Sequence, residues 1–268
     1  MSLSYEPPAI FVNWQDETSR TIFPVGRLVT LRGEPGYEFA YIAAALGAEK
    51  VGFAPFQAFP DLRQVYRAPE LPAFFKNRLL QPGRPDYPQY LQELGLDAAT
   101  VTPVEILARS GGRRVTDPLE VFAELVPVGD RFEAHFFVRG IRYLDNAEDA
   151  ALLLRPGDPL RLAHEPSNAV NPNAHLVICH GGQAVGYVPD YLVDDLKALV
   201  EQDESLRVEV VRVNQPPAPS QQRLLCKLSI SSEAPRPHRG PRFDPISPDA
   251  IRLEGSKPPS AAPQRRSA

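Results

Sequence analysis

Proline sets the strongest limit on what this chain can fold into, because 30 of its 268 residues are proline. Proline fixes φ at about −65° and lacks an amide N–H, so it interrupts helices and inner strands. Between the prolines lie short apolar runs, many with the alternation of strands and a few with helical spacing. The sequence therefore predicts an α+β fold made of many short strands and short helices.

The first 130 residues mix both patterns and are predicted to form one α+β domain. Strands are predicted at 10–14, 21–31 and 36–42, and helices at 71–80, 87–94 and 102–110. The third helix has the clearest signals. Thr102 and Glu105 form a capping box around Pro103, and Gly111 follows the last turn.

Residues 131–231 are predicted to form a second domain, a small β-barrel with two helices. RFEAHFFVR (131–139) alternates, which places His135 on the side that we expect to face solvent. Helices are predicted after Asn146 and from Pro189 to Val200. Further strands are predicted at 159–163, 175–179, 184–188, 206–213 and 223–230.

Residues 232–268 are rich in Pro, Arg, Ser and Ala and have few large apolar residues. This composition predicts a disordered tail. The tail carries seven basic and four acidic residues, although the whole chain has a net charge of −4. A protein that binds nucleic acid through overall charge should have a basic domain, so any nucleic-acid contact is expected to be local.

Composition also limits the cellular setting. Two cysteines, Cys179 and Cys226, are too few for a disulfide framework, which favours a reducing, cytoplasmic location. No apolar run approaches the roughly 20 residues that span a bilayer, and the N-terminus lacks the pattern of a signal peptide. No membrane association is predicted.

The second half resembles the HIRAN domain. The resemblance rests on four motifs in order: GIRY (140–143), LRPGDPLRL (154–162), EPSNAVNPNA (165–174) and VGYVP (185–189). It implies a small β-barrel with two helices, and it implies nucleic-acid binding, since a well-studied member holds the 3′ end of single-stranded DNA in a pocket.

The first 125 or so residues resemble the N-terminal subdomain of HipA-type kinases. The matching pieces are FPVGRL (23–28), YEFAYI (37–42), GFAPFQAFPDL (52–62), FFKNRLL (74–80) and EILARSGG (105–112). No phosphate loop or kinase catalytic loop follows residue 125. The resemblance therefore implies a scaffold that contacts a protein partner, without kinase activity.

The HIRAN resemblance points to five candidate binding residues: Arg142, Tyr143, Asn168, Asn171 and Tyr187. Arginine can fork onto phosphate, and an aromatic ring can stack on a base. Asn168 would orient the terminal sugar. Structural alternatives stay open for each: Arg142 could pair with Asp145 or Glu148, the tyrosines could pack on the barrel, and the asparagines could hold a turn.

This chain differs at three positions from the HIRAN member that binds single-stranded DNA. That member has an aromatic residue, an acid and a lysine where this chain has Val170, Asn171 and Asp190. The substitutions remove a stacking ring and replace a cation with an anion. An amide is also a poorer acceptor than a carboxylate for a terminal hydroxyl.

No constellation for catalysis or metal binding is found in the sequence. Cys179 and His180 are adjacent, so on a strand they face opposite ways and do not share a metal easily. The Gly-rich stretch at 110–117 lacks the lysine of a phosphate loop. We expect a non-catalytic protein without cofactors that binds single-stranded or damaged DNA ends. The alternative is a protein-interaction module with no nucleic-acid ligand.

Overall fold

The computed structural model describes residues 5–33, 35–193, 196, 205–234 and 237–253. The described part contains two antiparallel sheets, which the chain completes one after the other. Short helices lie between the strands, as expected from the proline content.

The first sheet has five strands in the order β4-β3-β2-β1-β5. The strands are β1 (Tyr5–Gln15), β2 (Ile22–Leu31), β3 (Tyr37–Tyr41), β4 (Tyr66–Ala68) and β5 (Leu119–Ala123). Hairpin connections order the first three, whereas β5 returns from far along the chain to pair with β1. Strand β5 therefore lies at one edge of the first sheet, and its side chains contact residues of the second half of the chain.

Four short helices follow the strands of this sheet: α1 (Ala45–Glu49), α2 (Ala73–Lys76), α3 (Tyr87–Glu93) and α4 (Pro103–Ser110). The capping box of α4 is confirmed, with reciprocal bonds between Thr102 and Glu105 and a left-handed Gly111 after the last turn. The helix predicted over 71–80 covers only Ala73–Lys76, and Pro72 is its N-cap residue. Phe39, Phe59 and Phe75 pack together in the core beneath these helices.

The second sheet has seven strands in the order β10-β9-β8-β11-β12-β7-β6. They are β6 (Val126–Val128), β7 (Arg131–Phe137), β8 (Pro159–His164), β9 (His175–Ile178), β10 (Ala184–Tyr187), β11 (Arg207–Val213) and β12 (Leu224–Ser231). One helix, α5 (Ala147–Leu153), is complete in the described residues. The second predicted helix is seen at 190–193, and residues 194, 195 and 197–200 lie outside the described residues.

Two backbone hydrogen bonds bring the far ends of this sheet together. Arg139, just after β7, and Tyr187, at the end of β10, exchange N–H···O bonds of 2.8 Å in both directions. Side chains from β7 to β12 and from α5 share one buried core. The strand order is that of an open sheet, and among the described residues its two ends meet at the bridge between Arg139 and Tyr187.

Strand β12 is buried on both sides. The predicted inward residues Leu224, Cys226, Leu228 and Ile230 are buried. Leu225 points the other way and is fully buried against Leu91 and Leu94 of the α3 region. The two sheets are therefore joined by an apolar contact through β12.

The prediction of a disordered tail is wrong for residues 237–253. This segment crosses the first sheet, where Ile246 N–H donates to the Tyr41 carbonyl and Ile251 N–H donates to the buried Glu38 carboxylate. Phe243, Ile251 and Leu253 are buried against the sheet. These three apolar side chains are enough to hold the proline-rich segment against the sheet, although the segment has few large apolar residues. Residues 254–268 lie outside the described residues.

Candidate nucleic-acid interface

Gly140 turns the chain between β7 and the short 3₁₀ helix Ile141–Tyr143. Its φ of 68° is left-handed, and a Cβ there would lie 2.9 Å from Cδ2 of Tyr187 and 3.8 Å from Cδ2 of Tyr143. A side chain at this position would be strained and would meet the Tyr187 ring. Glycine therefore lets the two tyrosines lie on either side of one turn, at the end of β10.

Arg142 and Tyr143 are both exposed and contact each other. The Arg142 guanidinium carbon lies 4.7 Å from the Tyr143 ring centroid, and Nη2 donates to the Tyr143 hydroxyl. Tyr143 is 71% exposed, so it is not packed on the sheet. Glu148, one of the carboxylates considered as a partner for Arg142, accepts from Arg223 instead. Arg142 makes no ion pair within the part of the chain that the structure describes.

Tyr187 is half-buried, and its hydroxyl interacts with two residues of the 165–174 loop. Burial raises the pKa of Tyr187, and a hydrogen bond to the Glu165 carboxylate raises this pKa further, while the Asn168 amide acts in the opposite direction. Glu165 is thus part of the site, although sequence reasoning missed it. Its place three residues before Asn168, in a turn-forming motif, was the available signal.

Asn168 holds the turn of the 165–174 loop. Its Oδ1 accepts from the N–H groups of Val170 and Asn171, and its Nδ2 donates to Glu165 at 2.7 Å. Asn173 contributes backbone contacts to the same loop, with its carbonyl 2.8 Å from His175 Nδ1. The asparagines therefore have the loop-bracing role that was one of the two interpretations of the motif.

Asn171 links this loop to the start of the next helix. Its Nδ2 donates to Asp190 Oδ1 at 2.8 Å, and its Oδ1 accepts from Asn173 N–H. Asp190 is exposed, and Val170 is 84% exposed at the loop tip. Asn171 and Asp190, two of the three positions that differ from the DNA-binding HIRAN member, are thus hydrogen-bonded to each other. The third position, Val170, faces solvent.

The five predicted residues lie close together on three neighbouring segments. Arg142 contacts Tyr143, Gly140 separates Tyr143 from Tyr187, Tyr187 reaches Asn168, and Asn168 binds the Asn171 backbone. We call the surface formed by Arg142, Tyr143, Asn168, Asn171 and Tyr187 the Tyr187 surface. One guanidinium, Arg142, and two carboxylates, Glu165 and Asp190, give it a mixed charge.

A separate groove of about 670 Å³ lies between α3 and β11, away from these residues. Gln89, Gln92 and Arg212 are among its lining residues. Asn214 crosses its base and donates to the carbonyls of Glu93 and Gln222. Sequence reasoning did not single out this groove, because its two walls are more than 100 residues apart in the chain.

The described residues contain no group of three or more His, Cys, Asp or Glu side chains placed to hold a metal ion. Both cysteines are free, and burial raises the pKa of the Cys226 thiol. Among the helices that the structure describes, none has the length and apolar character needed to cross a membrane.

Comparison with known proteins assigns a family to the region that contains the Tyr187 surface. Residues 132–233 match the family model of the HIRAN domain, so this chain carries a HIRAN domain over more than a third of its length. A search of curated proteins finds no match. The HipA-like character of the first half stays a prediction.

Two solved structures are similar to the same share of the chain. A protein from Lactobacillus plantarum is 25% identical, with a TM-score of 0.29, over 37% of this chain and 96% of that protein. The HIRAN domain of human HLTF is 19% identical, with a TM-score of 0.26, over 37% of this chain and 73% of that domain. The assignment of the region comes from the family model.

Proposed function

We propose that the HIRAN domain of this chain binds the end of a single DNA strand on the Tyr187 surface, without catalysing a reaction. HIRAN domains in general recognise single-stranded or damaged DNA ends, which supports DNA as the ligand. The observation that carries the proposal is the adjacency of an exposed guanidinium, an exposed ring and a half-buried ring, which come from two separate motifs. These are the groups that a strand end requires.

Each cationic or aromatic group has a distinct role in this proposal. Arg142 binds a backbone phosphate, which it can do because it has no carboxylate partner among the described residues. Tyr143 stacks on a base, a contact that contributes about 1–3 kcal/mol in single-strand complexes. Because Arg142 covers one face of the Tyr143 ring, the base stacks on the other face or displaces the guanidinium.

The carboxylates favour a hydroxyl terminus over a phosphate terminus. Glu165 and Asp190 are acceptors for a sugar hydroxyl, whereas a terminal phosphate would meet two like charges. The oxygens of Asn168 and Asn171 already accept from backbone N–H groups. Both asparagines therefore position the carboxylates in this proposal, since each donates its amide to one of them.

Fluorescence anisotropy with labelled oligonucleotides tests the proposal. Single strands with a free 3′-hydroxyl, single strands with a 3′-phosphate and duplexes are compared at low and moderate salt. We expect the 3′-hydroxyl strand to bind best and Arg142→Ala to weaken that binding by roughly tenfold or more. Arg63→Ala removes one exposed charge from the first half of the chain and is the matched control. Equal binding by Arg142→Ala and Arg63→Ala would contradict the assignment.

A protein-interaction module is the second candidate, and one feature favours it. Val170 and Tyr143 are 84% and 71% exposed beside two carboxylates, in a chain of net charge −4. Apolar side chains with an acidic rim also fit a basic peptide. Oligonucleotide binding no stronger than that of a charge-matched control protein would favour this candidate over the first.

A further inference from the structure

Arg139 belongs to the second sheet by its backbone and contacts the first sheet by its side chain. Its N–H and C=O form the two 2.8 Å bonds with Tyr187 that join β7 to β10. Its Nη2 forms an ion pair with Glu120 Oε1 on β5. The residue that precedes the Gly140 turn is therefore fixed from both sides.

Glu120 is held in place independently of Arg139. It lies on β5 opposite Asn13 of β1, and a Cβ on Gly111 would lie 3.2 Å from Glu120 Oε1. The carboxylate thus rests against the end of α4, where the left-handed Gly111 leaves room for it. Both partners of the ion pair are largely buried, with side chains 26% and 17% exposed.

Tyr191 makes a second contact between the binding region and β5. It lies one residue after Asp190, and its ring stacks on Phe122 with a centroid distance of 4.6 Å and an interplanar angle of 11°. Burial raises the pKa of Tyr191, and the charges of Arg139 and Glu120 act on this pKa in opposite directions. Two of the three segments that carry the Tyr187 surface, at 139–143 and 187–191, are therefore attached to the same strand.

We propose that the Arg139–Glu120 ion pair positions the DNA-binding surface, so that the first half of the chain sets the geometry of a site that it does not itself line. This inference rests on the proposed function. Arg139 and Glu120 are positioning residues here, because the groups proposed to contact DNA, Arg142 and Tyr143, lie on the 3₁₀ helix that follows Arg139. Loss of the pair would let the 139–143 segment separate from Tyr187 and move Arg142 and Tyr143.

A double-mutant cycle in the full chain tests this role. Glu120→Gln and Arg139→Gln are each expected to weaken binding of the 3′-hydroxyl strand roughly tenfold, and the double variant no further, because the two residues act as one unit. Arg139→Lys retains the charge and should recover part of the affinity. Arg113→Gln is the matched control, since Arg113 is exposed and 4.0 Å from the same carboxylate.

Amide hydrogen exchange gives a readout that does not depend on DNA. The amides of Arg139 and Tyr187 should lose protection by roughly tenfold in both single variants, while the amides of β12 stay protected. Additive losses of affinity, or an equal loss of protection in β12, would overturn the inference and show a general effect on stability. Reduced protection at Arg139 and Tyr187 in a protein that binds no oligonucleotide would support the positioning role and reject the proposed function.

Discussion

His135 is kept neutral by its surroundings, which makes the stability of the second sheet depend on pH. Burial, together with the nearby charges of Arg109 and Lys227, lowers the pKa of His135 to about 3. Lys227 is its direct cross-strand partner on β12, and Arg109 comes from α4 of the first half. The expectation that His135 faces solvent is wrong in part, because the residue is half-buried: Ile106 of α4 packs with Phe137, which lies on the same side of β7.

The lowered pKa predicts a loss of stability in acid. A group whose pKa is lower in the folded state than its ordinary value of 6.5 binds more protons when unfolded, so stability falls as the pH decreases from about 6.5 towards 3. The contribution approaches about 1.4 kcal/mol per pH unit inside that range. Urea unfolding of His135→Gln between pH 4.5 and 7 should give a flatter dependence than the wild type. The exposed His180→Gln is the matched control, and equal slopes in wild type and His135→Gln would contradict the prediction.

At the scale of single elements, alternation and turn signals were enough to find most strands. The inward residues of β12 and the capping box of α4 follow local rules and were predicted correctly. The 165–174 loop was found through its motif, and the local bonds of its asparagines to the backbone two residues on were one of the two alternatives, but the longer-range bond to Asp190 was not predicted. Asn168 binds within three residues, whereas Asn171 reaches Asp190, 19 residues away. The pairing of β9 with β10 brings Asp190 close to Asn171, and a local sequence pattern does not predict that pairing.

The tip of this loop allows a gain-of-function test. Val170 is 84% exposed next to residues of the Tyr187 surface, so a ring at this position has room to meet a base. Val170→Tyr should strengthen binding of a single strand by about 1 kcal/mol, or roughly fivefold. Val115→Tyr adds the same ring at an exposed position in the first half and should leave affinity unchanged. Anisotropy titrations of both variants decide this, and an equal gain in both would indicate non-specific stacking.

At the scale of the whole molecule, the two sheets are connected by contacts that the sequence alone did not predict. Leu225 joins β12 to the α3 region, Arg139 reaches β5, and His238 donates to the Tyr191 carbonyl from the C-terminal segment. Each contact pairs residues from parts of the chain that are distant in sequence. Motif order was sufficient to predict the HIRAN domain, but the relation between the halves depends on these long-range pairs.

Segment 237–253 should be a structural part of the fold. Phe243 is 5% exposed and packs edge-on against Phe11 at a centroid distance of 5.2 Å, while the buried Arg239 pairs with Glu124. Phe243→Ala is expected to lower the free energy of unfolding by about 3–5 kcal/mol, as for other buried phenylalanines. The loss should be visible as a lower urea midpoint.

The half-exposed Val128→Ala serves as the control for this variant, since truncation at a surface strand changes little. A disordered segment would give Phe243→Ala the same midpoint as Val128→Ala, and that result would restore the tail interpretation. If the midpoint falls as expected, His238, Arg239 and Phe243 act together with Tyr191 to hold the second sheet against the first. The C-terminal segment then stabilises the same face of β5 that positions the Tyr187 surface.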